Sequence, residues 1–250
     1  MRGAPPVLAD MGRTDWNGFY VGAHGGGGWA KSYGSLSVTS ATMAALPGVI
    51  PTIDSAATGM HFSGGAFGGL QIGYNWQVGT NLVAGVEGDF SFSSLHGSRT
   101  SGGIVPVFGS LFGFNQRIAN PFASTLRARV GFTPFASMLV YGTGGLAFGR
   151  VRYDSDFWDA ANEVEAYRSA AWRVGWTLGG GVEVALGRGW SAKIEYLHTE
   201  LPGISGVGAS LLIDGTYALT QHNSGRLASD TLRAGVNYRF GQVAPAVWTK

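Results

Sequence analysis

The charged residues of this chain recur at a spacing of two. Glu87 and Asp89, Arg127 and Arg129, and Lys193 and Glu195 are each separated by a single residue; Arg233 and Arg239 follow near the end, and Arg173 and Glu183 stand between. Groups of these types support two kinds of chemistry. Rows of opposite charge line an ion-selective constriction. Facing acids and bases neutralise one another as buried ion pairs. The spacing also says what must position them. Residues two apart share one face of a β-strand and diverge on a helix.

Other groups carry weaker signals. His24, His61, His96, His198 and His222 show no metal-ligand spacing, so structural or solvated roles are expected, with no metal and no cofactor. Gly25–Gly28 is not followed by Lys-Ser/Thr and is not a phosphate loop. The acidic residues Asp154, Asp156, Asp159, Glu163 and Glu165 read as a solvated loop before a divalent-cation site. A net charge of only +2 argues against nucleic acid as a partner.

Composition narrows the fold. Glycine is abundant (42 of 250 residues), cysteine is absent, and 8 Trp, 9 Tyr and 14 Phe exclude a disordered glycine-rich tract. No apolar run is long enough for a transmembrane helix. Residues 1–15 lack the apolar core of a signal peptide and, with Pro5 and Pro6, read as a flexible lead-in.

The strands can be read directly. Over residues 229–240, Leu232, Ala234, Val236, Tyr238 and Phe240 alternate with Thr231, Arg233, Gly235, Asn237 and Arg239. One face suits lipid and the other a polar lumen. The same alternation marks segments at about 17–31, 62–77, 82–95, 122–133, 137–151, 172–186 and 190–200, with Phe67 an inward exception. Residues 79–81, 133–136 and 187–189 read as tight turns. Residues 32–61, 96–121, 152–171 and 201–228 read as long loops, with a short helix in part of 152–171. Long and short connections therefore alternate, as in an up-and-down barrel whose short turns lie on one side of a membrane.

The expected fold is all-β: an eight-stranded antiparallel up-and-down transmembrane β-barrel over residues 16–240, with a tail at 241–250. Glu87, Asp89, Arg127, Arg129, Arg173, Glu183, Lys193, Glu195, Arg233 and Arg239 all fall on inward positions. Adjacent strands are complementary: Glu87 and Asp89 lie beside Arg127 and Arg129, Glu183 beside Lys193, and Glu195 beside Arg233. The outward positions of the alternating faces carry no charge, as expected when a lipid-facing charge costs roughly 2–4 kcal/mol. Aromatics collect in two belts. Tyr74, Trp76, Phe135, Trp190, Tyr238 and Phe240 sit near the short turns; Trp29, Phe62, Phe92, Phe122, Phe148 and Trp172 sit near the long loops.

Residues 16–22 (WNGFYVG), 68–76 (GGLQIGYNW), 86–89 (VEGD), 141–147 (YGTGGLA) and 232–240 (LRAGVNYRF) together resemble the small outer-membrane β-barrel surface proteins of Gram-negative bacteria. That family is often labelled porin-like and shares the architecture of the OmpA membrane domain. The resemblance implies contact with outer-membrane lipid and lipopolysaccharide. It also implies insertion by the barrel assembly machinery, which reads a last strand ending in an aromatic, here Tyr238 and Phe240. Both termini would be periplasmic and the long loops extracellular. Some relatives are said to bind haem, which these histidines permit without indicating.

The leading expectation is a structural protein of the envelope whose lumen is filled by ion pairs and whose loops face outward. One alternative is a narrow porin for ions or small solutes. Another is a module whose loops bind haem, a partner protein, neighbouring envelope proteins or further copies of itself. No enzyme is expected. His198-Thr199-Glu200 comes nearest to the histidine and hydroxyl that a lipid-modifying barrel would place at its rim.

Overall fold

The computed structural model describes residues 14–39, 48–57, 60–61, 64–104, 109–159, 164–202, 206–213 and 217–241. Its elements are β1 (Gly18–Thr39), α1 (Val49–Ala57), β2 (Met60–His61), β3 (Gly65–Val78), β4 (Leu82–Ser93), β5 (His96–Ile104), β6 (Leu111–Ala119), β7 (Phe122–Phe135), β8 (Met138–Asp159), β9 (Val164–Gly187), β10 (Trp190–Pro202), β11 (Gly206–Ile213) and β12 (Tyr217–Arg239). Eight of them form a closed antiparallel ring in the order β1, β3, β4, β7, β8, β9, β10, β12 and back to β1. Closure pairs Tyr20 with Arg239 at one end and Thr39 with Thr220 at the other, so no strand edge is left open to lipid.

Alternation carries the fold. Along β4 the buried residues are Val83, Gly85, Glu87, Asp89 and Ser91, while Leu82, Val86, Phe90 and Phe92 face out. The short turns at residues 79–81, 136–137 and 188–189 lie at the end that holds the first and last described residues, where the Phe240 N–H donates to the Phe19 carbonyl at 2.9 Å. Gly187, Arg188 and Gly189 have φ of 89°, 53° and 82°, a run of left-handed backbone that glycine supplies on either side of one strained arginine.

The far end departs from expectation. Three of the four expected long loops are largely strand; the fourth, 32–61, is strand only at its ends and otherwise holds a helix among its described residues. β1 continues to Thr39 and β8 to Asp159; β9 begins at Val164 and β12 at Tyr217. The short helix expected within 152–171 is absent from its described residues, which belong to β8 and β9. A helix occurs instead at α1, with Pro51 tolerated in its first turn and Thr52 bonded to the Gly48 carbonyl. Residues 96–121 hold the β5–β6 hairpin. Above Gly149, where β7 leaves β8, β6 takes over that edge from Arg152 onward. The wall thus rises beyond the apolar belt as continuous sheet.

The core is the inside of the barrel. Near the short turns, Trp16, Val83, Leu139 and Tyr141 form one buried apolar cluster. Toward the far end, Ala30, Ile118, Ala147, Val151, Tyr153, Leu201 and Leu227 form a second. Beyond it Phe112 and Phe114 are fully buried, as is Val49 of α1, which packs against β1, β5 and β6. A polar layer lies between the two clusters.

Candidate functional site

Eight charged side chains make up that layer. Glu87 and Asp89 come from β4, Arg127 and Arg129 from β7, Glu183 from β9, Lys193 and Glu195 from β10, and Arg233 from β12. Each is between 1% and 7% exposed. Glu87 is the hub. Its carboxylate accepts from Arg127, from Lys193 Nζ at 2.8 and 2.9 Å and from the Tyr20 hydroxyl at 2.8 Å, with Arg233 at 3.6 Å and Arg129 at 3.7 Å. Glu195 accepts from Arg233, from the Tyr141 hydroxyl at 3.0 Å and faces Arg127 at 3.1 Å. Asp89 takes Arg127 and Arg233, each at 3.1 Å, and the Thr125 hydroxyl at 2.6 Å. Glu183 takes Arg129 at 3.1 Å and the Asn237 amide at 2.9 Å.

The pairing is not simply that of neighbouring strands. Glu87 with Arg127 and Glu195 with Arg233 are cross-strand register partners as well as ion pairs. Lys193 and Glu183 are also opposite in register, yet each bonds elsewhere. Lys193 reaches Glu87, four places round the eight-stranded ring, so that pair spans the lumen. Four acids meet four bases, and the layer is formally neutral.

Two of the ten expected lumen charges stand outside it. Arg173 is half-buried on β9, opposite Gly149, and forms no ion pair among the described residues; it lies too far up the strand to reach the acids. Arg239 is buried at the short-turn end, where its guanidinium lies 4.6 Å over the Trp16 ring and donates to the Asp15 carbonyl. Thr14 is tied there too, through its N–H to the Ala136 carbonyl at 2.9 Å. Trp16 is fully buried beneath the charged layer, and its place just before the first alternating segment is the one sequence signal of that inward position. On the other side of the layer His24 bridges Gln71 at 3.1 Å and Ser91 at 2.8 Å, a structural role within the lumen.

The outer surface is apolar through the middle. Trp76, Phe135, Trp190, Tyr238 and Phe240 are exposed near the short turns, and Trp29, Phe92 and Trp172 toward the other end, with Phe148 half-buried. Phe62 lies outside the described residues. A closed barrel with an apolar outside, a charged inside and two aromatic girdles has the surface of a bilayer-spanning protein. The sequence also matches the family model of the outer membrane protein β-barrel domain over residues 5–240.

The chain belongs to that family.

Among relatives of this outer-membrane barrel, the 31 kDa outer-membrane immunogenic protein of Brucella melitensis biotype 1 is 33% identical over 238 residues, spanning 94% of this chain and 88% of the relative. The 25 kDa outer-membrane immunogenic protein of Brucella abortus biovar 1 is 27% identical, spanning 94% and 86%. Among solved structures, the outer membrane protease OmpT of Escherichia coli aligns with a TM-score of 0.51 at 11% identity, covering 88% of this chain and 97% of that one, a likeness of fold.

One outward cluster on the barrel holds two of the three residues of His198-Thr199-Glu200. Tyr196, His198 and Glu200 of β10 share the outer face with Arg226 and Asp230 of β12. Asp230 accepts from the Tyr196 hydroxyl and bonds His198 Nδ1 at 2.8 Å, while Glu200 lies 3.9 Å from Arg226. Charge is absent from the outward positions at mid-depth but returns here, one step beyond the girdle. Thr199 does not join it; its hydroxyl points inward and bonds Thr177 at 3.0 Å.

Proposed function

We propose that this outer-membrane barrel is a non-conducting structural protein of the envelope, with short turns and both termini in the periplasm and the extended hairpins outside. One observation carries the reading. Three layers of side chains cross the lumen in succession: the Trp16 cluster, the neutral charged layer, and the apolar cluster around Val151 and Tyr153. A conducting filter needs sites that ions enter and leave. Here every carboxylate of the layer is already held by fixed cations, and an entering ion would have to break pairs that water cannot replace. The void beside Asp89, Ser91, Thr125 and Arg233, which Leu95, Ala147, Leu197 and Leu201 also line, is about 60 Å³, space for a few waters rather than a path.

Planar-bilayer recording of the refolded chain tests this. The expected result is a flat trace. Steady, reproducible openings whose size shifts in Arg127→Ala or Glu87→Ala would overturn it in favour of a narrow porin.

A further inference from the structure

We infer that the outer face of the β5–β6 hairpin and the adjoining end of β8 form a docking surface for a cationic polypeptide segment that carries apolar anchors. Ile104 of β5 and Leu111 of β6 are cross-strand partners, 56% and 54% exposed. They share the outward face with Thr100, Asn115 and Arg117, whereas Phe112 and Phe114 of the inward face are buried. The row below them holds Gly102, Gly113 and Trp158, in register across β5, β6 and β8. The Trp158 indole covers Gly113, where a Cβ would collide with the ring. Gly102 stays exposed, so a step without side chains runs beneath Ile104 and ends at the indole.

Lipid does not cover this patch. Arg150 is level with Trp172 of the girdle, and Trp158 lies eight residues farther along β8. At about 3.3 Å per residue and a strand tilt near 40°, the patch stands about 20 Å beyond the girdle, out of reach of the hydrocarbon. Contiguous apolar side chains exposed there mark a contact with another macromolecule.

Charge selects the partner. Beyond the row of Arg117, Asp154 and Arg168, the two hairpins comprise residues 100–116 and 155–167. These segments contain Asp156, Asp159, Glu163 and Glu165 and no Lys or Arg, a net charge of −4. Asp156 is opposite Asn115 on the outward face, two residues from Trp158. Toward the membrane the sign reverses, with Arg117, Arg152 and Arg168 exposed against Asp154 alone. A partner that rests its apolar side chains on Ile104 and Leu111 therefore gains from Lys or Arg beside those anchors and loses from acids. Anionic lipid is disfavoured on the same ground, and a second copy would bring acids against acids. The proposed orientation puts this face outside the cell, but the test does not depend on it.

The full chain in zwitterionic lipid nanodiscs is titrated with short synthetic peptides, with empty nanodiscs as the blank. A peptide of alternating Lys and Leu is expected to bind more tightly, by about tenfold or more, than one of alternating Glu and Leu or of alternating Lys and Ser. Its binding should weaken severalfold between about 0.05 and 0.5 M NaCl. Combined Ile104→Ser and Leu111→Ser should weaken it about tenfold or more, as apolar contact area is lost. Asp156→Lys should weaken it about threefold or more, the scale of an exposed charge pair. Arg117→Gln with Arg168→Gln should tighten it, a gain that misfolding cannot imitate. Equal binding of the Glu–Leu or the Lys–Ser peptide would overturn the inference. So would an unchanged affinity in the double serine variant when that variant keeps its heat-modifiable folded form. Capture of phosphatidylcholine or phosphatidylglycerol vesicles that the serine variant loses would make a bilayer the occupant instead, and a native dimer that it dissociates would make it a second copy; either result would overturn the inference as well.

Discussion

Glu87→Gln separates a buried neutral layer from a hydrated, screened one. The amide has the size of the carboxylate, so no cavity opens and the Tyr20 hydroxyl keeps an acceptor. What changes is charge: four bases then face three acids in a layer no more than 7% exposed. Breaking a buried pair by removing one partner costs about 3–5 kcal/mol, and Glu87 is the partner of Lys193 at 2.8 Å as well as of Arg127. Lys193→Met alone leaves one acid in excess and should cost about as much. The double variant restores neutrality, three against three, and is expected to cost only ~1–3 kcal/mol, a favourable coupling of at least ~2 kcal/mol. Equilibrium urea unfolding in lipid vesicles, followed by tryptophan fluorescence, measures all four corners of the cycle. An additive double variant, or a single loss below about 1 kcal/mol, would place the pair in water, where exposed pairs are worth that little.

Trp16→Ala should cost about 3–5 kcal/mol in the same assay, since the ring fills the short-turn end and supports Arg239; a neutral result would remove it from the core. Gly145→Ala should fold poorly, because a Cβ there would fall on the Leu126 carbonyl, whereas at Gly142 it would only touch the Gly179 carbonyl at an ordinary 3.9 Å and Gly142→Ala should be tolerated; heat-modifiable gel migration reads the difference, and equal behaviour would refute the register. Because the chain has no cysteine, Ser98→Cys should label with an impermeant maleimide on intact cells and Thr80→Cys only after permeabilisation; the reverse pattern would invert the orientation. Unfolding free energy should change little between 0.05 and 1 M NaCl, since ions do not reach the layer to screen it; a steep fall with salt would show that they do.

The membrane-spanning part of the fold was legible because lipid imposes a hard rule. From Phe19 to Trp29, or Leu232 to Phe240, each outward position must be apolar, and period two follows. Beyond the girdle both faces meet polar surroundings, so stretches such as Arg152–Asp156 lose that contrast and resemble loop although they pair as strand. Inward charge was legible for the same reason, and the pairs Glu87–Arg127 and Glu195–Arg233 follow from strand adjacency. The partner of Lys193 does not. A long side chain in a narrow barrel crosses to the opposite wall, and nothing in the order of residues reports that diameter. Arg173 and Arg239 share the inward parity of the layer but differ in height, which alternation does not encode. The outward pairing of Asp230 with His198 depends likewise on two strands meeting at one level.

The pairs across the lumen also join parts of the chain that are made far apart. Lys193 bonds Glu87 over 106 residues, and Arg233 bonds Asp89 over 144. An incomplete sheet that held β4 and β7 but lacked β10 and β12 would carry carboxylates and guanidiniums without their full set of partners in a hydrocarbon surround. The layer therefore favours all eight strands over any smaller number. The last strand, β12, brings Arg233 to its acids in the same step that lets it join β1, so completion of the ring and discharge of its interior are a single event.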